Sequence, residues 1–528
     1  PGLPGDLGSP NGGGVLVDLE GDLSGSTVHI ADNTARANAI ANSVSNSMTV
    51  SATRLEAESR FYLETVYDQN DLPVENAIVI DQTDFELDND QDAGDDYFAY
   101  VQVEIFGSYG VTTYTDFAAT DSKIEIKDNT QSVLALANAA TNAVTLAATN
   151  IGGEESYGAT SRLESDQDGD IEVDASSDLQ LFAPLKGEGT SVAISGNTNA
   201  AYAGMNDVIN TLKVGGTSIS GGRFTTDAAD VDGSDADHVL DNDQDSRGWI
   251  QSDATTTIVN NEIDMLIAEG TDFVVNLTGG SVAVNGNVTT AEVNANRAVN
   301  SVVLTGVASQ TASAALRNRQ DNDANVTATA ATNATLSLNG GTGSEQSALV
   351  NGGIVLNGNV TEAIARGNNA INTMTVGTTG NNSVNATLAP LGGATASGPA
   401  LMVNRQTNDN SVSATASATY RVILNADGVQ AATGSTVAVT GNVVNAVAFG
   451  NRASNVLTLN AMPGGTTGGA VVSNQTNNGA ITATASSVIF GVGIPSSGMQ
   501  SAQTSVSGNQ IAASAVGNAV TTTINIGR

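Results

Sequence analysis

Alternating carboxylates are the residues of this sequence best placed to do chemistry. Asp88, Asp90 and Asp92 flank Gln91, with Asp95 and Asp96 just beyond. Asp166, Asp168 and Asp170 flank Gln167. Asp241, Asp243 and Asp245 flank Gln244, preceded by Asp230, Asp232, Asp235 and Asp237. Ca²⁺ takes roughly six to eight oxygen ligands from flexible loops, so these aspartates are the candidate metal ligands and Ca²⁺ the candidate cofactor. The EF-hand pattern is not completed, because the glycine and the closing Glu are misplaced. Later repeats carry Arg317, Arg319 and Asn404 where the acids stood, so a metal is not a requirement of the repeat. A solvated acidic face is the second reading.

Catalytic constellations are poorly supported. The two histidines are His29, which alternates with Val28 and Ile30 on an expected strand and should point outward, and His238, in an expected acidic loop. Neither has a matched Ser or Asp motif. Paired carboxylates of the kind that cleave glycans are uninformative where acids are this abundant. The single Trp249 opens an apolar stretch and is expected to pack in the core, with a sugar platform as the alternative. The chain therefore reads as a non-enzyme.

Composition narrows the class further. The chain has 528 residues, no cysteine, 57 glycines, 4% aromatics and 40% hydrophobic residues. Disulfides and cysteine-ligated metals are excluded, and backbone ladders must supply the stability. No apolar run approaches the roughly 20 residues of a membrane span. The first residue is Pro1, which suggests a removed leader or a mature fragment. Residues 331–528 hold four acids and five bases, a net of +1, so residues 1–330 hold the remaining 51 acids and 13 bases, a net of −38. An acidic front and a neutral rear argue against nucleic-acid binding, which needs a basic footprint.

The elements that carry these residues are repeats. One pattern recurs seven times, as in SVAVNGNVTTAEVNANRAVNSVVL from Ser281 and TVAVTGNVVNAVAFGNRASNVLTL from Thr436. Its first Asn is Asn33, Asn129, Asn197, Asn287, Asn359, Asn442 and Asn509. Nine residues on stand Asn42, Asn138, Asn206, Asn296, Asn368, Asn451 and Asn518, and four further Asn46, Asn142, Asn210, Asn300, Asn372 and Asn455, with Thr522 in the last copy. A second pattern alternates with it, centred on Gln91, Gln167, Gln244, Gln320, Gln406 and Gln475, with small or apolar residues at +6, +8 and +10. The Gln-to-Gln steps are 76, 77, 76, 86 and 69 residues.

In the Asn pattern a V-x-V strand leads to a Gly-Asn or Asp-Asn corner, and Gly and Asn tolerate the left-handed backbone such bends need. Ala291, Val293 and Ala295 then share one parity, and Ala298, Asn300, Val302 and Leu304 the other, which predicts a second corner at Asn296. An inward Asn is costly unless its amide is paired, and stacking on the same Asn one coil away would pair it. The seven first Asn and six Gln are thus expected to form structural ladders.

The fold class expected is all-β: a β-solenoid or β-arcade repeat array with Asn/Gln ladders and variable side loops. If each half-unit is one coil, thirteen coils make a rod about 60 Å long. A string of β-sandwich domains is the rival, but would need larger core aromatics and longer strands. The chain divides into a flexible N-terminal lead and possible assembly strand (1–26), an acidic half of the array (27–330) and a neutral half (331–528). The segment RLEAESRFYLETVYDQND (54–71) is expected to form a short helix or an aromatic-bearing edge strand.

GNRASN (450–455), GNNAIN (367–372) and ANRAVN (295–300) carry a Gly/Asn/Ala turn phrase that resembles the curlin repeat. The Asn-periodic, Ala-rich style also resembles bacterial holdfast anchors. The resemblance covers a minority of the chain, and the chain departs from it in using Asn for Gln, in its long arms and in its acidic front. It implies a cross-β, amyloid-like extracellular filament or cell-surface anchor of the kind found in biofilm.

Two functional expectations follow. One is a secreted structural subunit, partnered by itself, in which VLVDL (15–19) or the first coil completes the final coil of the next copy. The other is a monomeric Ca²⁺-stabilised adhesin or surface-layer stalk that binds glycan or a surface, with cell-surface polysaccharide as a candidate partner.

Overall fold

A computed structural model of the chain describes residues 12–56, 84–94, 100–113, 118–152, 159–184, 187–221, 234–259, 276–338, 348–378, 386–388, 396–424, 432–461 and 468–527, with four two-residue strands between 62 and 79. The described residues form strands and turns, with no helix long and apolar enough to cross a membrane. Asp95, Asp96, Asp230 and Asp232 lie outside the described residues.

Alternation of small apolar and polar residues favours strands with one face buried, and the same alternation in every repeat lets the strands stack in register. The result is a parallel β-solenoid of seven coils. Each coil has a strand of two or three residues, a five-residue V-x-V strand and a long strand, and each of these forms its own seven-stranded sheet in chain order. The long strands are Thr34–Leu55, Thr130–Ile151, Thr198–Ile219, Val288–Gln310, Val360–Thr378, Val443–Ala461 and Gln510–Gly527. Opposite them stands an eleven-stranded sheet that carries the Gln half-units. The two are called here the Asn sheet and the Gln sheet.

One coil contains both half-units. Asn33 donates its amide to Asn129, 96 residues away, and the next steps along the ladder are 68, 90, 72, 83 and 67 residues. The half-unit is therefore half a turn, not a whole one. Seven levels at about 4.8 Å give a rod of about 34 Å, not about 60 Å. The reason is side-chain length: an Asn amide stacks on Asn and a Gln amide on Gln, so like half-units lie above one another.

The corner before the first Asn is formed as expected. Asp32, Asp128, Gly196, Gly286, Gly358, Gly441 and Gly508 all have φ between 55° and 67°. A second column of left-handed residues, which sequence reading missed, runs through Gly25, Asp121, Gly189, Gly279, Asn351, Gly434 and Ser501 at the other end of the V-x-V strand. The expected second corner at Asn296 is instead a bend inside one continuous strand, Val288–Gln310. Ala295 and Asn296 are both buried, so parity changes without a turn.

This bend divides the interior. One apolar lobe contains Ile126, Val133, Ala135, Leu181 and Tyr420; the other contains Val144, Leu146, Leu163, Leu212 and Leu240. Between the lobes the two sheets are joined by amides. Asn138 Nδ2 donates to Asn206 Oδ1 at 2.9 Å and across the waist to the Asp168 carbonyl at 2.8 Å. Gln244 Nε2 donates to Gln167 Oε1 at 2.8 Å and back across to the Arg297 carbonyl at 3.0 Å. Most amides in the waist thus have partners along the rod, across it or both, which offsets the cost of burying them; Asn89 Nδ2 and Asn455 Nδ2 are buried without one. Asn ladders donate towards the C-terminal end of the rod, whereas the Gln ladder donates towards the N-terminal end.

Two shorter ladders escaped sequence reading. Asn242, Asn318 and Asn404 stack two residues before the Gln, so Asn404 continues an inward Asn column and does not replace an acid, and Asn322, Asn408 and Asn477 stack two residues after it. Their signal was an Asn two residues before or after five of the six Gln, all but Gln167, hence on the same inward face. In the segment 54–71 the described pieces are strands, not helix: Tyr62–Leu63 pairs with Ile78–Val79 and Val66–Tyr67 with Pro73–Val74, both antiparallel.

Candidate functional site

The aspartates around each Gln sit on the outer face of the Gln sheet. Along Phe85–Ala93 the even-numbered Glu86, Asp88, Asp90 and Asp92 are exposed, while Leu87, Asn89, Gln91 and Ala93 are buried. Inward Gln fixes the parity, so residues at odd offsets must face solvent. They lie on straight strands and not in the flexible loops expected for a Ca²⁺ cage.

Parallel in-register stacking turns these positions into columns. Asp88, Glu164 and Asp241 form one, Asp90, Asp166 and Asp243 the next, and Asp92, Asp168 and Asp245 the third. Like charges are held one strand spacing apart, about 4.8 Å, along each column. The backbone keeps the side chains side by side instead of aiming them at one point. Among the described residues no three acidic or histidine side chains converge to hold a metal ion. Asp170 stands apart from the grid, in register with Arg247.

Two of the three columns change sign in the fourth coil, while the third continues from Asp245 to Asp321. Arg317 follows Asp241 and Arg319 follows Asp243 in register. The Arg317 guanidinium grips both oxygens of Asp241, with Nε to Oδ1 at 2.6 Å. Arg319 lies 3.2 Å from Asp243 and 2.9 Å from Asp321. Burial pushes Asp243 up to about 7, helped by Asp166 and Asp241 and opposed by Arg319. Burial also raises Asp166, with Asp90 and Asp168 adding to it, and raises Glu164 and Asp245 against their neighbouring arginines. Glu164, Asp166, Asp243 and Asp245 therefore bind protons more readily than isolated carboxylates would, and a cation placed beside them would relieve the same repulsion.

No family model, curated protein or solved structure matches this chain.

Both histidines have structural surroundings. His29 is half-exposed on its strand, 3.5 Å from Glu125. His238 is not in a loop: it opens the strand His238–Val259 and is fully buried. Its Nδ1 lies 2.9 Å from Ser161 Oγ, and its Nε2 is buried with no hydrogen-bond partner. The adjacent Asp237 accepts from the Ser313 amide and hydroxyl. Desolvation pushes the His238 imidazole down to about 3. The serine–histidine contact is thus buried among the described residues and is not presented at the surface.

Trp249 is not in the core. It stands 57% exposed on the outer face of the Gln sheet. It is five residues from the inward Gln244, and an odd offset points outward; that parity was available in the sequence.

Proposed function

We propose that this chain is a secreted structural subunit of an extracellular fibre or surface anchor that assembles head-to-tail through its open β edges. The observation that carries the reading is that every coil repeats the same apolar and amide pattern in register, so a coil left uncovered can be completed by a coil of another copy. At the C-terminal face Ile511, Ile524 and Ile526 are 49–63% exposed, while their counterparts one coil in, Val444, Leu457 and Leu459, are at most 2% exposed. A further coil laid on this face would bury them, and burial of apolar surface is the main drive to association.

The polar pattern gives that contact a direction. Asn509 and Asn518 each donate once, to the Val439 and Gln475 carbonyls, which leaves one amide N–H of each facing out among the described residues. At the other face Asn33 and Asn42 donate inward to Asn129 and Asn138, and their Oδ1 atoms accept from no described residue. Donors at one end meet acceptors at the other only when copies point the same way. This polarity belongs to every coil, so it holds for whichever coils are exposed.

The ends are also offset by half a coil. Gly12–Leu19 pairs by one edge with Phe106–Thr113 of its own chain and leads the Gln sheet by one level. Beside Gln510–Gly527 no described strand occupies the corresponding level of the Gln sheet. Residues 12–19 of one copy fit that level of the next, the heterologous, non-closing contact that produces filaments. Placement outside the cell rests on the curlin-like phrases, not on this geometry.

Sedimentation and negative-stain microscopy of the purified chain test the proposal. Filaments with a repeat of about 34 Å, lengthening with concentration, are expected. Ile524→Asp with Ile526→Asp should abolish them with an unchanged circular dichroism spectrum. A single monomeric species at high concentration, with or without Ca²⁺, would sink the reading.

A monomeric Ca²⁺-stabilised stalk is the second reading. What favours it is the carboxylate grid, whose repulsion a divalent cation would relieve. Calcium-dependent melting without filaments is its signature.

A further inference from the structure

We infer that the outer face of the Gln sheet carries a binding site for a linear neutral or amino-sugar glycan, with Tyr100 and Trp249 as its two stacking platforms. Tyr100 is 69% exposed and Trp249 57% exposed. Sheet register sets them in one column: Tyr100 pairs with Glu172, and Glu172 with Trp249. The aromatics are therefore two strand spacings apart, about 10 Å, with a carboxylate between them. The next outward column holds Gln102, Asp174 and Gln251, in register. On the other side Arg247 is held 2.6 Å from Asp245.

Aromatics on strands usually pack in the core, and the exposures exclude that for these two. A solvent-facing Trp among Gln, Glu, Asp and Arg gains nothing for the fold. Large exposed apolar groups rimmed by polar ones mark binding surfaces. Aromatic rings offer a flat apolar face to the C–H side of a sugar ring. The carboxylate, carboxamides and guanidinium beside them are the planar groups that pair with hydroxyls. Two platforms with a carboxylate between them suit consecutive sugars of a chain running along the rod axis.

Charge selects among flat ligands. Asp170, Glu172 and Asp174 surround the platforms, and the whole chain carries −37. Acidic glycans and single-stranded nucleic acids, whose bases would also stack, are repelled. Neutral sugars are tolerated, and protonated amino sugars are drawn in. The site lies on the side of the rod, not at its ends, so it does not depend on head-to-tail assembly.

Trp249 is the only tryptophan in the chain, so its emission reports this site alone. The full-length protein is titrated with cellohexaose, chitosan hexamer, polygalacturonate and a proline-rich peptide. A saturable shift in emission is expected with cellohexaose or the chitosan hexamer and none with polygalacturonate. Tyr100→Ala keeps the reporter and should weaken the affinity about tenfold, the worth of one stacking contact. Glu172→Gln should weaken the chitosan hexamer more than cellohexaose. Circular dichroism should be unchanged in both variants, because both side chains face solvent. The proposal is overturned by a silent tryptophan with both sugars, by a larger response to polygalacturonate or the peptide, or by undiminished affinity in Tyr100→Ala.

Discussion

Replacing one ladder amide in the middle of the rod should cost far more than replacing any outward polar residue. Asn287 is 3% exposed in the fourth coil. Its Nδ2 donates to Asn359 Oδ1 at 2.9 Å and to the Ile194 carbonyl at 3.0 Å. Its Oδ1 accepts from the Asn197 amide group at 2.9 Å and from the Asn197 backbone N–H at 3.1 Å. Asn287→Ala removes all four bonds. A hydrogen bond nets about 1 kcal/mol, and a buried donor left without a partner costs about 1–3 kcal/mol more. The backbone N–H of Asn287 still supplies Asn359 Oδ1, so the main orphans are the two Asn197 donors. The expected loss is about 3–5 kcal/mol. Thr290→Ala, outward on the same strand, should stay within about 0.5 kcal/mol. A stacked array need not unfold in one step, so a single midpoint is the wrong measure. Amide hydrogen exchange read by mass spectrometry resolves the coils. Asn287→Ala should accelerate exchange in the strands Ser191–Ser195, Ser281–Asn285 and Gly353–Asn357, and leave Thr27–Ala31 and Gln503–Ser507 unchanged. Equal exchange in Asn287→Ala and Thr290→Ala would refute the claim that stacked amides hold the coils together.

Buried His238 makes the fold acid-sensitive. Its folded pKa, about 3, lies below the unfolded value of 6.5, so the unfolded chain takes up the proton first and stability falls as pH drops from about 6.5 towards 3. His238→Gln should flatten that fall in melting temperature between pH 6 and pH 4; an identical profile would remove His238 as the cause. Asp243 acts the other way. Raised to about 7, it contributes stability at low pH that is lost as pH rises from about 4 through 7. Asp243→Asn should therefore raise the melting temperature at pH 8 relative to wild type, against the loss of its contact with Arg319; a lower melting temperature would mean that the ion pair outweighs burial and repulsion. Gly286, at φ 64° with open space around an added Cβ, should accept Asp at little cost, because Asp32 and Asp128 hold the same corner in the first two coils. Gly286→Val should lose about 1–2 kcal/mol in a melting experiment; equal stability of the Asp and Val variants would mean that the backbone there is not constrained.

Parity and punctuation were legible in the residues themselves. Alternation identified strands, Gly or Asp before Asn identified the left-handed corner, and an inward amide recurring in every copy demanded a ladder. The same parity places Asp90 opposite Gln91, and Trp249 at an odd offset from Gln244, on the solvent side. These are local properties, set by the two-residue period of a strand and by steric limits on φ.

Which copy stacks on which was a tertiary decision. A spacing of some 38 residues between half-units is compatible with a full coil or half of one, because nothing local states how far the chain travels before it returns. Asn33 reaching Asn129 instead of Gln91 settled it, and halved the rod. The stacking also created what no single repeat contains. Acids that merely alternate along one strand became columns of like charge, and Tyr100 and Trp249, 149 residues apart in number, came into one line. The apolar lobes on either side of the amide waist arose in the same way. They required two sheets to face each other, and only long-range pairing brings those sheets together.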